Sequence, residues 1–178
     1  MVSQLEAPIL EPNRPTPYVV EGLVQVFTSR HRSFFTSVMA QALRIAGQGT
    51  PVLVVQFLKG GIAQGQDHPV QLGQNLQWLR CNLPRCINSP QLEESEAASL
   101  RELWQHTCTV VSSGFYSLVV LDELSLAIKF GLISEAEVLE FIRDRPRQVD
   151  VILTGPDMPS SILDIADQIT ELRRSHRM

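Results

Sequence analysis

Cysteine, aromatic residues and positive charge are all scarce in this sequence, and each shortage removes a class of function. The three cysteines, Cys81, Cys86 and Cys108, form no C-x-x-C pair and have no histidine at ligand spacing. A disulfide framework and a zinc site are both unsupported, and reduced, intracellular thiols are expected, which places the chain in the cytoplasm. Lysine and arginine number 15 against 19 acidic residues, a formal net charge of −4. No global positive field draws such a chain onto nucleic acid or an anionic membrane. No apolar run approaches the roughly 18 residues of a membrane helix, and residues 1–17 lack the apolar stretch of a signal peptide.

What is present suits a globular interior. Hydrophobic residues make up 44% of 178 positions, enough for one core and little more. Pro8, Pro12, Pro15 and Pro17 make residues 1–18 an extended, proline-rich arm, because each ring fixes φ and biases the preceding residue away from helix. A single domain over residues 19–178 follows.

Within it, β-branched apolar runs alternate with helical periodicity. Leu23 to Thr28 reads as a strand buried on both faces. From Phe34 to Ala46 the apolar positions Phe35, Val38, Met39, Ala42, Leu43 and Ala46 recur at threes and fours, the mark of an amphipathic helix ended by Gly47 and Gly49. Val52 to Leu58 is the second strand. Residues 62–90, rich in Gln, Asn, Gly and Pro, read as a long surface excursion with one short strand around Leu76 to Leu79. A helix over Glu93 to Val111 precedes a strand at Ser117 to Leu121, which runs into Asp122-Glu123. Ser134 and Glu137 form a capping box for a helix through Arg143. Val149 to Thr154 is a strand, Gly155-Pro156 a turn, Ser160 to Ala166 a short helix and Ile169 to Leu172 a last strand. The pattern predicts an α/β fold: a doubly wound, mostly parallel sheet with helices on both faces in a three-layer sandwich. Ligands of such sheets bind at the carboxyl ends of the strands.

Gly22 to Thr28, Ala42-Leu43-Arg44, Val55-Gln56-Phe57-Leu58-Lys59-Gly60, Leu121-Asp122-Glu123-Leu124, Leu153-Thr154-Gly155 and Glu171-Leu172-Arg173 occur in this order. Together they resemble the P-loop family of ATP:corrinoid (cob(I)alamin) adenosyltransferases over Gly22 to Arg173, most of the chain. The V-Q-F-[IL]-K-G string is the most specific element. The resemblance implies a P-loop NTPase-like fold, MgATP and a corrinoid as substrates, and a homodimer.

It also locates a departure. The family's Walker A string, T-G-x-G-K-G-K-T-T, here reads Thr28-Ser29-Arg30-His31-Arg32-Ser33-Phe34-Phe35-Thr36. Ser29, His31 and Ser33 stand where glycines allow backbone N–H groups to close around phosphate. Phe34 stands at the phosphate-binding lysine, and Phe35 at the threonine that meets magnesium. Only Arg32 and Thr36 keep the family's character. Each lost charge-assisted contact costs about 1.5–3 kcal/mol, so this vestigial loop is expected to bind MgATP poorly. Asp122 and Glu123 occupy the place of the Walker B acids, but bonds to an arginine or to loop amides account for carboxylates there equally well. The aromatics that the family carries near Cys86 to Asn88 are missing, and Pro156 replaces the arginine after its T-G.

The leading expectation is therefore a catalytically inactive homologue used as a protein-binding or regulatory module, with Phe34 and Phe35 as exposed partner anchors. One alternative is a working corrinoid adenosyltransferase, in which Asp122 or Glu123 manages magnesium and Arg32 replaces the missing lysine. Another is a binder of a different anion or nucleotide through Arg30, His31 and Arg32 at the start of a helix. The basic residues at the other end, Arg173, Arg174, His176 and Arg177, read as solvated surface.

Overall fold

Strands β1 (Val24–Ser29), β2 (Val52–Gln56), β5 (Leu118–Asp122) and β6 (Asp150–Pro156) form the middle of a seven-stranded sheet in the computed structural model, which describes residues 20–61 and 65–173. They are joined by β3 (Val70–Leu72), β4 (Leu76–Arg80) and β7 (Gln168–Leu172) in the order β3-β4-β2-β5-β6-β1-β7. Every pairing is parallel except the short β3–β4 hairpin at one edge. Helices α1 (Thr36–Gly47), α2 (Glu94–Ser112), α3 (Leu124–Lys129), α4 (Glu135–Asp144) and α5 (Ser160–Leu163) complete the three layers.

Side-chain alternation divides the apolar runs between two cores. In β2, Leu53 and Val55 face a core shared with α2, α3 and α4, whereas Val52 and Val54 face one shared with α1. In β5, Val119 and Leu121 face the first core, and Leu118 and Val120 the second. All of β2 and β5 is buried, which is why these segments read as continuous apolar runs rather than as alternating ones. The doubly wound expectation therefore holds.

Local signals worked where their chemistry is specific. Ser134 Oγ accepts from the Glu137 amide at 3.2 Å while the Ser134 amide donates to Glu137 Oε2 at 3.1 Å, the reciprocal capping box at the start of α4. The Ser134 hydroxyl, which donates to Glu137 Oε2 at 2.8 Å, and then the Ser134 amide hold the Glu137 carboxyl below its ordinary pKa.

Several expectations need correction. Helix α1 begins at Thr36, not Phe34, and Leu43 is 48% exposed rather than part of its buried stripe. Strand β6 continues through Gly155-Pro156 instead of turning there. Gly155 has φ 138°, and a Cβ on it would collide with the Ser125 hydroxyl, so only glycine fits. Helix α3 follows β5 directly and was not foreseen. The 62–90 stretch is less of a surface excursion than its composition implies. It supplies β3 and β4, and Leu79, Cys81, Leu83 and Ile87 are buried in the first core. Arg85 ties this stretch to the first turn of α2 through two bonds to Glu96, at 2.8 and 2.7 Å. The proline-rich arm, and Arg174, His176 and Arg177, lie outside the described residues. Among the described residues no helix is long and apolar enough to cross a membrane.

The two leucines separate core from surface. Leu100→Ala, at a fully buried position, is expected to lower unfolding free energy by about 2–5 kcal/mol, and Leu43→Ala by less than about 0.5 kcal/mol. Urea denaturation of the two variants measures both.

Candidate functional site

Parallel strands leave their carboxyl ends on one side of the sheet, and there the apolar runs of β2, β5 and β6 end in Gln56, Asp122 and Thr154. All three are buried, with exposures of 1%, 4% and 1%. Glu123, the next residue, is also only 4% exposed. Two carboxylates removed from water demand neutralisation, since an isolated buried charge costs several kcal/mol.

The neutralising cations come from two loops. The Arg32 guanidinium, in the β1–α1 loop, grips Glu123 with both arms, Nε on Oε1 at 2.5 Å and Nη2 on Oε2 at 2.7 Å. Its third arm, Nη1, reaches the Ile87 carbonyl at 3.1 Å and Asn88 Oδ1 at 2.5 Å. The carboxylate bond raises the Arg32 pKa further above its ordinary value. Lys59, just beyond β2, places Nζ 2.8 Å from Asp122 Oδ2. Gln56 Nε2 donates to the same oxygen at 2.7 Å, and Thr154 Oγ1 donates to Oδ1 at 2.8 Å. Gln56 Oε1 in turn accepts from Trp78 Nε1 and Arg80 Nε, which carries the network into β4.

Backbone geometry supports the arrangement. Glu123 adopts φ 59° and ψ 25°, a left-handed conformation that costs a non-glycine residue about 1–2 kcal/mol. Its amide donates to Thr154 Oγ1 at 3.0 Å, which holds that conformation in place. Gly60 lets the β2 exit pass against the carbonyls of Leu83 and Arg85, where any Cβ would clash.

The β1–α1 loop is held by bonds within itself. No residue from 29 to 36 has a positive φ. The hydroxyls of Ser29 and Ser33 both donate to the His31 carbonyl, at 2.6 and 3.1 Å, so the loop closes on itself. Arg30 and His31 point to solvent, while Arg32 turns in to Glu123, so the basic triplet does not converge on one anion. Thr36 is exposed in the first turn of α1.

The two phenylalanines part company. Phe34 is 54% exposed, with Lys59 Nζ 4.6 Å from its ring centre. Phe35 is 5% exposed and packs edge-on against Phe27 in the α1 core. The expectation of Phe35 as an exposed anchor is therefore corrected, because the alternation that exposes one ring buries its neighbour.

Magnesium can be tested against these donors. All four carboxylate oxygens of Asp122 and Glu123 already accept a hydrogen bond from Thr154, Gln56, Lys59 or Arg32. A divalent cation would compete with Arg32 or Lys59 at three of these oxygens and with the Thr154 hydroxyl at Asp122 Oδ1, so the residues as arranged do not fit it. Gln56, Lys59 and Thr154 were absent from the sequence-derived set of site residues. The signal that could have found them was polar side chains at the ends of otherwise apolar strands.

Removing one partner exposes the debt of the other. Arg32→Ala strands the Glu123 carboxylate and is expected to destabilise by about 2–3 kcal/mol, below the full buried-pair cost because the Arg32 side chain is 34% exposed. Arg32→Met with Glu123→Met should cost less than Arg32→Ala alone, as read by urea denaturation.

Comparison with known proteins gives a consistent result. Residues 20–178 match the family described as ATP:corrinoid adenosyltransferase BtuR/CobO/CobP. The chain is 32% identical over 153 residues to the corrinoid adenosyltransferase of Escherichia coli K12, covering 85% of this chain and 76% of that protein. It is 31% identical over 153 residues to the corrinoid adenosyltransferase CobA of Salmonella typhimurium LT2, with the same coverage of 85% and 76%. An uncharacterized protein of Nostoc sp. PCC 7120, all2391, is 37% identical over 173 residues, covering 87% of this chain and 44% of that protein.

Proposed function

The chain belongs to the ATP:corrinoid adenosyltransferase family, and we propose that it is a non-catalytic member in which a closed nucleotide site serves as a protein-binding or regulatory module. The observation that carries this reading is the two-armed pairing of Arg32 with Glu123. One cation from the phosphate loop is locked onto one acid of the pair that would manage magnesium, and Lys59 is locked onto the other.

The loop chemistry supports the same reading. Binding triphosphate requires backbone amides to turn towards it, and the serine hydroxyls on the His31 carbonyl hold the loop in another shape. The lysine position is Phe34, whose exposed ring offers apolar contact where the family has charge. An aromatic ring with a cation on one face and solvent on the other suits a partner's apolar pocket.

One observation favours a second reading, an active transferase moving the 5′-deoxyadenosyl group of ATP to a cob(I) corrinoid. Asp122 and Glu123 retain the family's acidic pair at the end of β5. That reading requires Arg32 to leave Glu123, and it places a planar guanidinium where a compact ammonium is the better phosphate ligand.

Calorimetric titration with MgATP decides between them. No saturable heat up to millimolar nucleotide is expected, and no adenosylated product in an assay with ATP and a cob(I) corrinoid. Tight, magnesium-dependent binding, or turnover that is lost in Glu123→Gln, would overturn the proposal.

A further inference from the structure

Away from the strand ends, the outer helical layer carries a groove of about 450 Å³ between α2 and α4. The end of the groove nearest Ser112 and Asp144 lies at the amino edge of the sheet, opposite the ion-pair network, because both helices run back from the strand ends. Its floor is apolar. Trp104 and Phe141, 5% and 8% exposed, meet in a tilted pair with 5.4 Å between ring centres, and Cys108 lies half-buried beside them.

The two walls differ in charge. On the α2 side the groove presents the neutral side chains of Gln105 and Thr109. On the α4 side it presents Glu137, Glu140 and Asp144, spaced three and four apart and therefore on one face of the helix. Arg145 stands at the end of the groove, its guanidinium held by the carbonyls of Ile142, Val149 and Gly22, and its single positive charge leaves the lining with an acidic excess of two. Glu137 is held by its cap on Ser134 and keeps its charge, with Arg101 near enough to stabilise that charge. Glu140 and Asp144 make no hydrogen bond or ion pair among the described residues.

We propose that this groove docks an amphipathic helix of a partner protein, laid with its apolar stripe on Trp104, Cys108 and Phe141 and with a row of lysines or arginines against the α4 carboxylates. A groove between two helices accepts a third by its i, i+3, i+4 and i+7 residues. The one-sided acidic wall specifies the partner's charge and its orientation. The three carboxylates span about 10 Å along α4, so two or three basic residues over two turns match them. This inference concerns a different surface from the Phe34 mouth, and it stands whether or not the nucleotide site is closed.

Designed helical peptides of about 16 residues test it, one with leucines on one face flanked by lysine and arginine, the other identical but with glutamate at the flanks. The protein is labelled with ¹⁵N, and the indole N–H signals of Trp104 and Trp78 are followed during titration. The basic peptide is expected to shift Trp104 saturably and leave Trp78 in place. The acidic peptide is expected to bind at least about tenfold more weakly. Glu140→Lys with Asp144→Lys, both at exposed positions, should reverse that order while leaving the urea midpoint within the range of surface substitutions. Equal binding of the two peptides, a shift at Trp78 instead of Trp104, indifference to the charge reversal, or no binding at millimolar peptide would each overturn the proposal.

Discussion

Two carboxylates side by side at the end of a buried strand need opposite charge and hydrogen bonds in place of water, and the local structure is arranged around meeting that demand. Asp122 and Glu123 are almost wholly removed from solvent. Bringing ions out of water costs several kcal/mol each unless partners of opposite charge and full hydrogen bonding replace it. Arg32 and Lys59 provide the charge, and Gln56 and Thr154 the remaining bonds. Because these residues come from separate segments, the same network fixes the β1–α1 loop, the exit of β2, the Ile87–Asn88 stretch and the start of α3 relative to one another. Movement of any one of them uncovers a charge.

The loop substitutions make physical sense together in this light. Ser29 and Ser33 hold a self-bonded turn, Arg32 between them reaches the Glu123 carboxylate, and the buried Phe35 fills space under α1. Together they form a satisfied local structure with no positive φ from residue 29 to residue 36. The family scaffold thus carries, at its strand ends, a network of side-chain bonds internal to the chain.

Much of the scaffold was legible in the sequence because it depends on local pattern. Valine- and leucine-rich runs such as Val52 to Val55 announce strands covered on both faces, and Ser134 with Glu137 announces a helix start. Helix α3 was not legible, since six residues continuing directly from a strand leave no periodicity to detect. Strand β4 falls where Leu76 to Leu79 read as a strand, but the burial of Cys81, Leu83 and Ile87 beyond it is masked by scattered polar residues. Site pairing was least accessible. Nothing local says that Arg32 meets Glu123 across 91 positions, or Lys59 meets Asp122 across 63. Those contacts come from topology, which places the ends of β1, β2 and β5 on one edge.

That topology also bears on how the chain is made. Among the described residues strand β1 is the first to be synthesised, but its sheet neighbours are β6 and β7, the last two strands there. Val24 and Val26 pair with Val151 and Leu153, so more than a hundred residues are synthesised before β1 finds its first hydrogen-bonded partner. Until then its apolar faces are uncovered, a slow, long-range closure of the kind that engages chaperones. Closure of the sheet onto β1 waits for β6, whereas β2, β4 and β5 pair with one another over shorter stretches of chain.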